Sequence, residues 1–428
     1  MSDRLNELAK VLSNTNLRSV YHDIRAKGPV KKSEVGLSLS LSKPTRYSLI
    51  KELQDSGLLL ENGDTEGKKR RSEVDILEDT FYSIGVDIHL SGVDFLLMNA
   101  KTTAVAHFQV PNRIDLNRNV TIDERDTIVE RIKEGIQRIL TEYQLSAENI
   151  LSIGVSDYGT IDTNEGISVL APHIPGWVDV PIRSIIQRIV PVPVYLGRDA
   201  NLMAIGEIKA LDLPDFDDLL CISMRRGIGL GIFIDGKLYT GHTGNAGEWS
   251  HVTITDNGKT CECGRSGCVD TVLSYSALRQ SINKNYGKQT HKNAPGAEEG
   301  SEKISLTDVF EAYEQGDKTA TGLLKPYIET LGDQIANLYY LFDPSVCILT
   351  GYYAFCGDRF LADLQQKIRS TIPEHIPKTV RLLRGSLGMK SASWGAAFMA
   401  QEMLLSPDQT NISKRQVQDS TISRFLSG

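Results

Sequence analysis

The chain has 428 residues, of which 40% are hydrophobic and 24% are charged, and its formal net charge is −7. This length allows two or three domains with substantial cores, and the composition is ordinary for a globular protein. The polar start MSDRLNELAK does not resemble a signal peptide, and no apolar run reaches the ~18 residues of a membrane helix. Six cysteines do not make a disulfide framework, so we expect a reduced, cytoplasmic protein without a membrane partner.

The charge is distributed unevenly along the chain. Residues 1–75 carry a formal charge of +3, and the remaining residues carry −10. A mildly basic head on an acidic body predicts that only the head meets nucleic acid. A random fluctuation in charge would give the same numbers, so this prediction needs support from motifs.

Residues 1–79 are predicted to form a winged helix-turn-helix DNA-binding domain. A helical stripe of apolar residues is formed by Leu17, Val20, Tyr21 and Ile24, and Gly28 ends it. Ser33 can cap a short helix, and a turn follows. Ser42 precedes Lys43-Pro44 and caps a second helix that is predicted to run to about Ser56. Two helices joined by a tight turn favour helix-turn-helix.

The expected wing and the second helix supply the candidate DNA contacts. Residues 58–77 are predicted to form two strands joined by a polar tip, which contains Lys68, Lys69, Arg70 and Arg71. Adjacent cations suit a phosphate backbone or a minor groove, although a solvated loop is the alternative for any charge run. The outer face of the second helix would present Lys43, Thr45, Tyr47 and Ser48 to the DNA. Arg46 interrupts the apolar stripe, so it either snorkels or turns outward to the DNA.

The body is predicted to be an α/β structure of two similar lobes, because strands lead into helices and the pattern then starts over. We expect the first lobe at residues 80–200, completed by about 390–405, and the second at 201–389. Three strands follow from Phe81, the first ending at Asp87, and helices are predicted over 122–144 and Thr319–Phe342. His291–Ser305 reads as a mobile loop, and residues 406–428 as a tail.

The densest motif is H-x9-C-x-C-x4-C, formed by His251, Cys261, Cys263 and Cys268. One imidazole and three thiolates make a closed tetrahedral set for a structural Zn²⁺. Gly264 and Gly267 would let the loop fold tightly around the ion. Free buried thiols are the alternative. The closed set argues against a zinc enzyme, because no coordination position is left for a substrate.

The body resembles the ROK family of repressors, open reading frames and sugar kinases from Phe81 to about Ala400. The resemblance is carried by GNAGEWSH (Gly244–His251), CECGRSGC (Cys261–Cys268), DANLMAIGE (Asp199–Glu207) and APHIPGW (Ala171–Trp177). It implies an actin-like, ribonuclease H-like fold and a structural zinc at the cysteine motif. A body of this kind behind a winged helix-turn-helix is the layout of the family's transcriptional repressors.

The resemblance also implies where a sugar binds. The positions that match the sugar-binding residues of the family's kinases are Arg198, Asp199, Glu248, His251 and Asp270. Asp199 matches the kinase base, whereas Arg198 replaces an Asn and Asp270 replaces a Glu. Any of the carboxylates could instead be a surface charge. Arg198 would favour an anionic ligand such as a sugar phosphate if it points into the pocket, or it pairs with neighbouring carboxylates.

At both positions that match the phosphate loops of the family's kinases, this sequence differs from the family's pattern. The first resembles D-x-G-G-T in the family and reads DIHLSG here, so His89 and Leu90 replace both glycines. The second resembles G-T-G-I-G-x-G and reads RRGIGLG, so Arg225 and Arg226 replace Gly-Thr. Bulky side chains should block nucleotide binding, and we therefore expect no enzyme activity. The alternative is that two arginines bind phosphate well.

These observations predict a sugar-responsive transcriptional regulator of carbohydrate-metabolism genes, and we expect it to act as a repressor. Its partners would be a palindromic operator, a sugar or sugar-phosphate effector, and further copies of the chain in a homodimer or homotetramer. The rival hypothesis is an active ATP-dependent sugar kinase with an accessory DNA-binding domain.

Overall fold

The structure is a computed structural model that describes residues 3–62, 73–89, 91–112, 124–171, 174–213, 218–286, 304–376 and 380–405. No helix within these ranges combines the length and the apolar character needed to cross a bilayer. The chain divides into two compact units. The first contains the residues up to Arg198 and those from Ala396 onward, and the second is Asp199–Gly395.

The first unit begins with a small winged-helix arrangement. Its elements are α1 (Asp3–Ser13), α2 (Thr15–Lys27), β1 (Val30–Lys31), α3 (Lys43–Asp55), β2 (Leu59–Asn62) and β3 (Glu73–Ile76). The strands form an antiparallel sheet in the order β1-β3-β2. The predicted strand pair of the wing is therefore confirmed, while the four cations of its tip lie outside the described residues.

Local sequence explains the ends of the two main helices of the head. The Asn14 side chain caps α2, and Gly28 ends it with a φ of +68°. Ser42 caps α3 by accepting a hydrogen bond from the Thr45 N–H, as the sequence predicts. The short helix expected after Ser33 is wrong, because residues 32–38 form hydrogen-bonded turns. Gly36 lies there with a φ of +65°, which a right-handed helix does not allow.

A five-stranded sheet follows in the first unit. The elements are β4 (Tyr82–His89), β5 (Gly92–Asn99), β6 (Ala104–Pro111), α4 (Glu124–Glu142), β7 (Ile150–Asp157), β8 (Thr160–Asp162), β9 (Ile167–Leu170), β10 (Val178–Val180), α5 (Ile182–Ile189) and β11 (Val194–Arg198). The large sheet has the order β11-β7-β4-β5-β6. Strands β4, β5 and β6 are antiparallel, whereas β7 and β11 add in parallel. The first strand extends to His89 and not only to Asp87.

The second unit contains a sheet of the same topology. Its elements are α6 (Asp199–Ala210), β12 (Leu219–Met224), β13 (Ile228–Ile234), β14 (Lys237–Leu238), α7 (Asp270–Leu273), α8 (Tyr275–Tyr286), α9 (Leu306–Glu314), α10 (Lys318–Phe342), β15 (Val346–Gly351), α11 (Asp358–Thr371), β16 (Arg381–Arg384) and the start of α12 (Ser391–Leu405). The residues of α12 from Ala396 onward belong to the first unit. The sheet order is β14-β13-β12-β15-β16, with three antiparallel strands followed by two parallel ones. The prediction of two similar lobes is confirmed.

Each sheet packs one apolar face into its own core. In the first unit Ile84, Val86 and Ile88 of β4 pack in a cluster that includes α4 and α5. In the second unit the largest cluster joins β12 and β13 to helices α7 to α11. The Thr319–Phe342 helix is confirmed as α10, and its buried side includes Leu324, Ile328, Leu331 and Ile335. Most of the predicted loop His291–Ser305 and the tail 406–428 lie outside the described residues.

The head shares its core with the first lobe. Apolar residues of α1, α2 and α3 lie in one cluster with Phe81, Ala100, Leu151 and Leu405. The Arg25 side chain of α2 is 11% exposed and forms an ion pair with Glu402 of α12, and the Tyr21 hydroxyl donates to the Ala100 carbonyl at 3.3 Å. The boundary at residue 79 therefore separates two parts of one packed unit.

Candidate functional site

The four residues of the cysteine motif converge in the second unit. Their ligand atoms all lie within 4.8 Å of one another. The His251 Nδ1 is 3.6 Å from the Cys261 Sγ, and the Cys263 Sγ is 3.7 Å from the Cys268 Sγ. One imidazole and three sulfurs at these separations are a suitable donor set for a tetrahedral Zn²⁺. The structure thus brings together the predicted cluster, and this group can hold a metal ion.

Tight backbone turns position the cluster. Gly267 has a φ of +73°, and a Cβ at this position would lie 1.8 Å from the Thr255 carbonyl oxygen, so only glycine fits. Gly264 also has a positive φ, of +86°. The Arg265 side chain donates a hydrogen bond to the His251 carbonyl. Both glycines singled out in the sequence are therefore at positions that require them.

The thiols of the cluster have different electrostatic surroundings. The Arg265 backbone N–H donates to Cys263 and lowers the pKa of that thiol. Burial instead raises the pKa of the Cys261 and Cys268 thiols. A bound cation would favour the thiolate form of all three, since metal coordination deprotonates a thiol.

Two of the predicted sugar-binding residues adjoin the cysteine loop. Glu248 and His251 lie on one short 3₁₀ turn, and the Glu248 Oε2 is 3.7 Å from the His251 Nε2. Gly247 begins this turn with a φ of +89°, where a Cβ would lie 2.2 Å from the Leu230 carbonyl oxygen. His251 can therefore present its Nδ1 to the cysteines and its Nε2 to Glu248. Trp249, between them, is buried in the core of the unit.

The remaining predicted sugar-binding residues are placed at the ends of strands and helices. The Asp270 Oδ1 accepts a hydrogen bond from the Ile228 N–H at 3.1 Å, and burial raises the pKa of the Asp270 carboxyl. Asp199 begins α6, and its Oδ2 lies 4.0 Å from the Arg225 Nη1. Arg198 ends β11 in the other unit, opposite Asp157 of β7.

The two stretches expected from the sequence to match the phosphate loops of the family's kinases are equivalent hairpin turns in the two sheets, β4/β5 and β12/β13. In the first turn the His89 Nε2 lies 2.8 Å from the Asp94 Oδ2, and its Nδ1 lies 2.9 Å from the Ser91 Oγ. In the second turn Arg225 is near Asp199, and Arg226 Nη2 is 3.8 Å from the Glu262 Oε1. His89, Arg225 and Arg226 therefore contact neighbouring polar side chains, while Leu90 lies outside the described residues.

Sequence reasoning missed several polar partners of these sites. Ser91 and Asp94 hold the His89 ring, and the closeness of the three polar residues along one hairpin could have indicated them. The buried carboxylate of Glu207 accepts hydrogen bonds from Thr350 and from the backbone N–H groups of residues 386–388. Glu207 thus anchors the segment before α12, which no local pattern in the sequence indicates.

Helix α3 offers an exposed polar surface, with one exception. Lys43, Thr45, Tyr47 and Ser48 are exposed, and the Lys43 Nζ lies 5.9 Å from the centre of the Tyr47 ring. Arg46 is buried, and its Nη1 donates to the Val35 carbonyl at 2.6 Å. The expectation that Arg46 could reach DNA is corrected, because its guanidinium is used to hold the preceding turn. Lys51 is exposed one turn after Tyr47 and was missed.

The fold and these sites define a winged-helix head joined to a duplicated α/β body with a His/Cys₃ loop. The ROK family profile matches residues 84–403, well over half of the sequence. The chain therefore belongs to the ROK family.

Individual relatives include regulators and kinases. A xylose repressor of Caldicellulosiruptor bescii is 27% identical over 341 residues, which cover 79% of this chain and 83% of the relative. A glucokinase of Thermotoga maritima is 29% identical over 284 residues, which cover 65% of this chain and 89% of the relative. A solved ROK family transcriptional regulator, a homologue of the E. coli MLC protein, has a TM-score of 0.71 at 22% identity, covering 93% of this chain and 97% of its own. The fold is thus that of the ROK proteins over nearly the whole chain.

Proposed function

We propose that this protein is a sugar-responsive, DNA-binding transcriptional repressor of carbohydrate-metabolism genes and not a sugar kinase. The observation that carries the proposal is the pair of altered hairpins. His89 is hydrogen-bonded within the first turn, and Arg225 of the second turn faces the carboxylate that matches the kinase base. The structural match to a regulator over 93% of the chain supports the same proposal.

Arg225 affects whether Asp199 can act as a catalytic base. A general base must be free to accept the proton of the sugar hydroxyl. The Arg225 guanidinium lies 4.0 Å from the Asp199 Oδ2, so an ion pair occupies one oxygen of this carboxylate and leaves less of it free for proton transfer. The same carboxylate can still accept hydrogen bonds from sugar hydroxyls. Asp199 is therefore better suited here to ligand binding than to phosphoryl transfer.

The effector would contact Asp199, Glu248, His251 and Asp270, with Arg198 as a further candidate. A Zn²⁺ held by the cysteine loop would fix the His251 ring through Nδ1, and its role in this proposal is structural. Fixing one nitrogen orients the other toward Glu248, so the metal would preorganise two sugar-binding side chains at once.

The DNA-binding surface would consist of α3 and the wing. Lys43, Thr45, Tyr47, Ser48 and Lys51 are exposed on α3. The cations of the wing tip, Lys68 to Arg71, are proposed contacts from their sequence alone. A two-fold oligomer of the chain would match the two half-sites of a palindromic operator.

The experiment combines operator binding with an assay for turnover. Fluorescence anisotropy with the upstream DNA of a neighbouring sugar gene measures operator affinity with and without a panel of sugars and sugar phosphates. The expected result is tight binding that one effector weakens at least tenfold, with an affinity that falls steeply with salt. Coupled detection of ADP with the same panel should give no turnover above background.

Matched variants make the outcome decisive. Tyr47→Ala should weaken DNA binding, while Arg381→Ala, an exposed cation on β16, serves as a control that should leave it unchanged. ADP release that Asp199→Asn abolishes would establish the kinase instead. Operator affinity that no sugar changes would refute the effector part of the proposal while leaving DNA binding intact.

A further inference from the structure

The first hairpin contains a second group of potential metal ligands, separate from the cysteine loop. Asp87 and His89 are two residues apart on β4, so their side chains leave the same face of the sheet. Asp94 of β5 is the cross-strand partner of Asp87. The three ligand atoms lie within 4.8 Å of one another. The face is opposite to the one on which Val86 and Ile88 join the apolar core.

The burial of this group differs from that of a surface acidic cluster. Asp87 is completely buried, Asp94 is 9% exposed, and the His89 side chain is 14% exposed. The His89 Nε2 lies 2.8 Å from the Asp94 Oδ2. Ligand atoms that share a transition-metal ion, each at ~2.0–2.2 Å from it, are themselves separated by about 3 Å. An ion could therefore enter with little movement of these two side chains.

A second observation points to a ligand at the same place. Ser156 of β7 is the partner of Asp87 on its other side, and in parallel register it lies on the same sheet face. Its side chain is completely buried, and its Oγ has no hydrogen-bond partner within the described part of the chain. A buried hydroxyl without a partner is costly unless a ligand or water satisfies it.

We propose that Asp87, His89 and Asp94 bind a divalent transition-metal ion of the Mn²⁺ or Zn²⁺ class, with Ser156 contacting the ion or a water bound to it. Two carboxylates with one imidazole favour such borderline ions over Mg²⁺, which prefers an all-oxygen shell. This inference does not depend on the proposed function. The proposed metal ion is held by side chains of β4 and β5, and its binding does not require a nucleotide.

Neighbouring groups would orient the histidine. The Ser91 Oγ lies 2.9 Å from the His89 Nδ1. If Nδ1 carries the proton and donates it to Ser91, the lone pair of Nε2 faces Asp94, where the metal would bind. Metal-bound histidines commonly have an outer partner of this kind, which fixes the tautomer. Binding then moves a proton between the ring nitrogens and needs no change in the charge of the imidazole.

The test uses the full-length protein and Mn²⁺ as the probe. The protein is stripped with EDTA and given one molar equivalent of Zn²⁺, which the thiolates of the cysteine loop will take first. Mn²⁺ is then titrated without nucleotide, and free Mn²⁺ is followed by electron paramagnetic resonance. We expect about one Mn²⁺ per chain, with pulsed spectra that show coupling to an imidazole nitrogen.

Variants identify the ligands. His89→Gln and Asp94→Asn should each raise the dissociation constant for Mn²⁺ at least tenfold, and His89→Gln should remove the nitrogen coupling. The glutamine can still donate to Asp94, so this variant retains the local hydrogen bond. Asp333→Asn on the surface of α10 is the control and should bind as the wild type does. The zinc content should stay at one in all of them.

Two results would overturn the proposal. One is a wild type that binds no Mn²⁺ above the level of His89→Gln. The other is a bound Mn²⁺ whose affinity is the same in both ligand variants, which would place it elsewhere. Circular dichroism in EDTA shows whether a variant folds, and loss of binding counts only for variants that do.

Discussion

The two compact units carry the same five-stranded sheet, but the equivalent hairpin turns have different contents. The β4/β5 turn holds an imidazole between a carboxylate and a hydroxyl, and all three groups come from this one hairpin. The β12/β13 turn carries two arginines that face acids from α6 and from the cysteine loop. One scaffold thus supports a short-range cluster in the first unit and longer-range ion pairs in the second.

The units also differ in the interactions that stabilise the part each carries beside its sheet, which is the head in the first unit and the cysteine loop in the second. The head of the first unit is packed onto the lobe by an apolar cluster and a buried ion pair. The cysteine loop of the second unit has few apolar residues and relies on glycine turns and on its potential metal ligands. Variants that remove one feature from each unit test this difference.

The largest effect is expected from Cys268→Ser in the second unit. Cys268 is completely buried, and its loss should abolish binding of the one Zn²⁺ per chain that is proposed for the cysteine loop. We expect the melting transition to fall by roughly 10 °C or more, because binding of the metal contributes to folding. Calorimetry with metal analysis measures both. Cys356→Ala is the control, since it removes a buried thiol outside the cluster and should keep the metal.

In the first unit, Glu402→Ala should leave the guanidinium of Arg25 buried without its carboxylate. Loss of one partner of a buried ion pair costs about 3–5 kcal/mol. The double variant Arg25→Leu with Glu402→Leu should recover part of this loss, because no charge is then left buried. Denaturant unfolding measures the difference. Equal losses in the single and double variants would contradict the assignment of the effect to the unpaired charge.

The pH dependence of the first unit should include a contribution from His22. Burial lowers the pKa of His22 to about 4, from 6.5 when exposed. Between these values the unfolded chain binds a proton that the folded chain does not, so stability is full above pH 6.5 and falls as the pH decreases toward 4. The loss attributable to this group reaches about 3 kcal/mol at most. His22→Gln should flatten the dependence of the melting temperature between pH 7 and pH 5.

The smallest effect is expected from Arg225→Gln in the second hairpin. The ion pair with Asp199 is long, at 4.0 Å, and the Asp199 side chain is 22% exposed. Loss of such a pair costs about 1 kcal/mol or less. A drop in melting temperature as large as that of Glu402→Ala would show that the second hairpin depends on its charges as much as the head depends on Arg25.

Much of the candidate site could be predicted because its residues are close in sequence. The four residues of the cysteine motif span 18 positions, and Glu248 is one short turn from His251. The direction of Arg46 could not be predicted, because a long amphipathic side chain can point either way at the edge of an apolar stripe. The pairing of Arg225 with Asp199 could not be predicted either, because 25 residues that include a strand separate them.

The sequence by itself determined the helix cap at Ser42, the strand and helix pattern of two lobes, and the His/Cys₃ motif. These depend on local hydrogen bonding and on short-range periodicity, which one segment contains. Only the tertiary structure decided that the head shares a core with the first lobe, that Arg25 meets Glu402, and that Ser156 lies beside Asp87. Those contacts join residues distant along the chain, and sheet register and packing determine them.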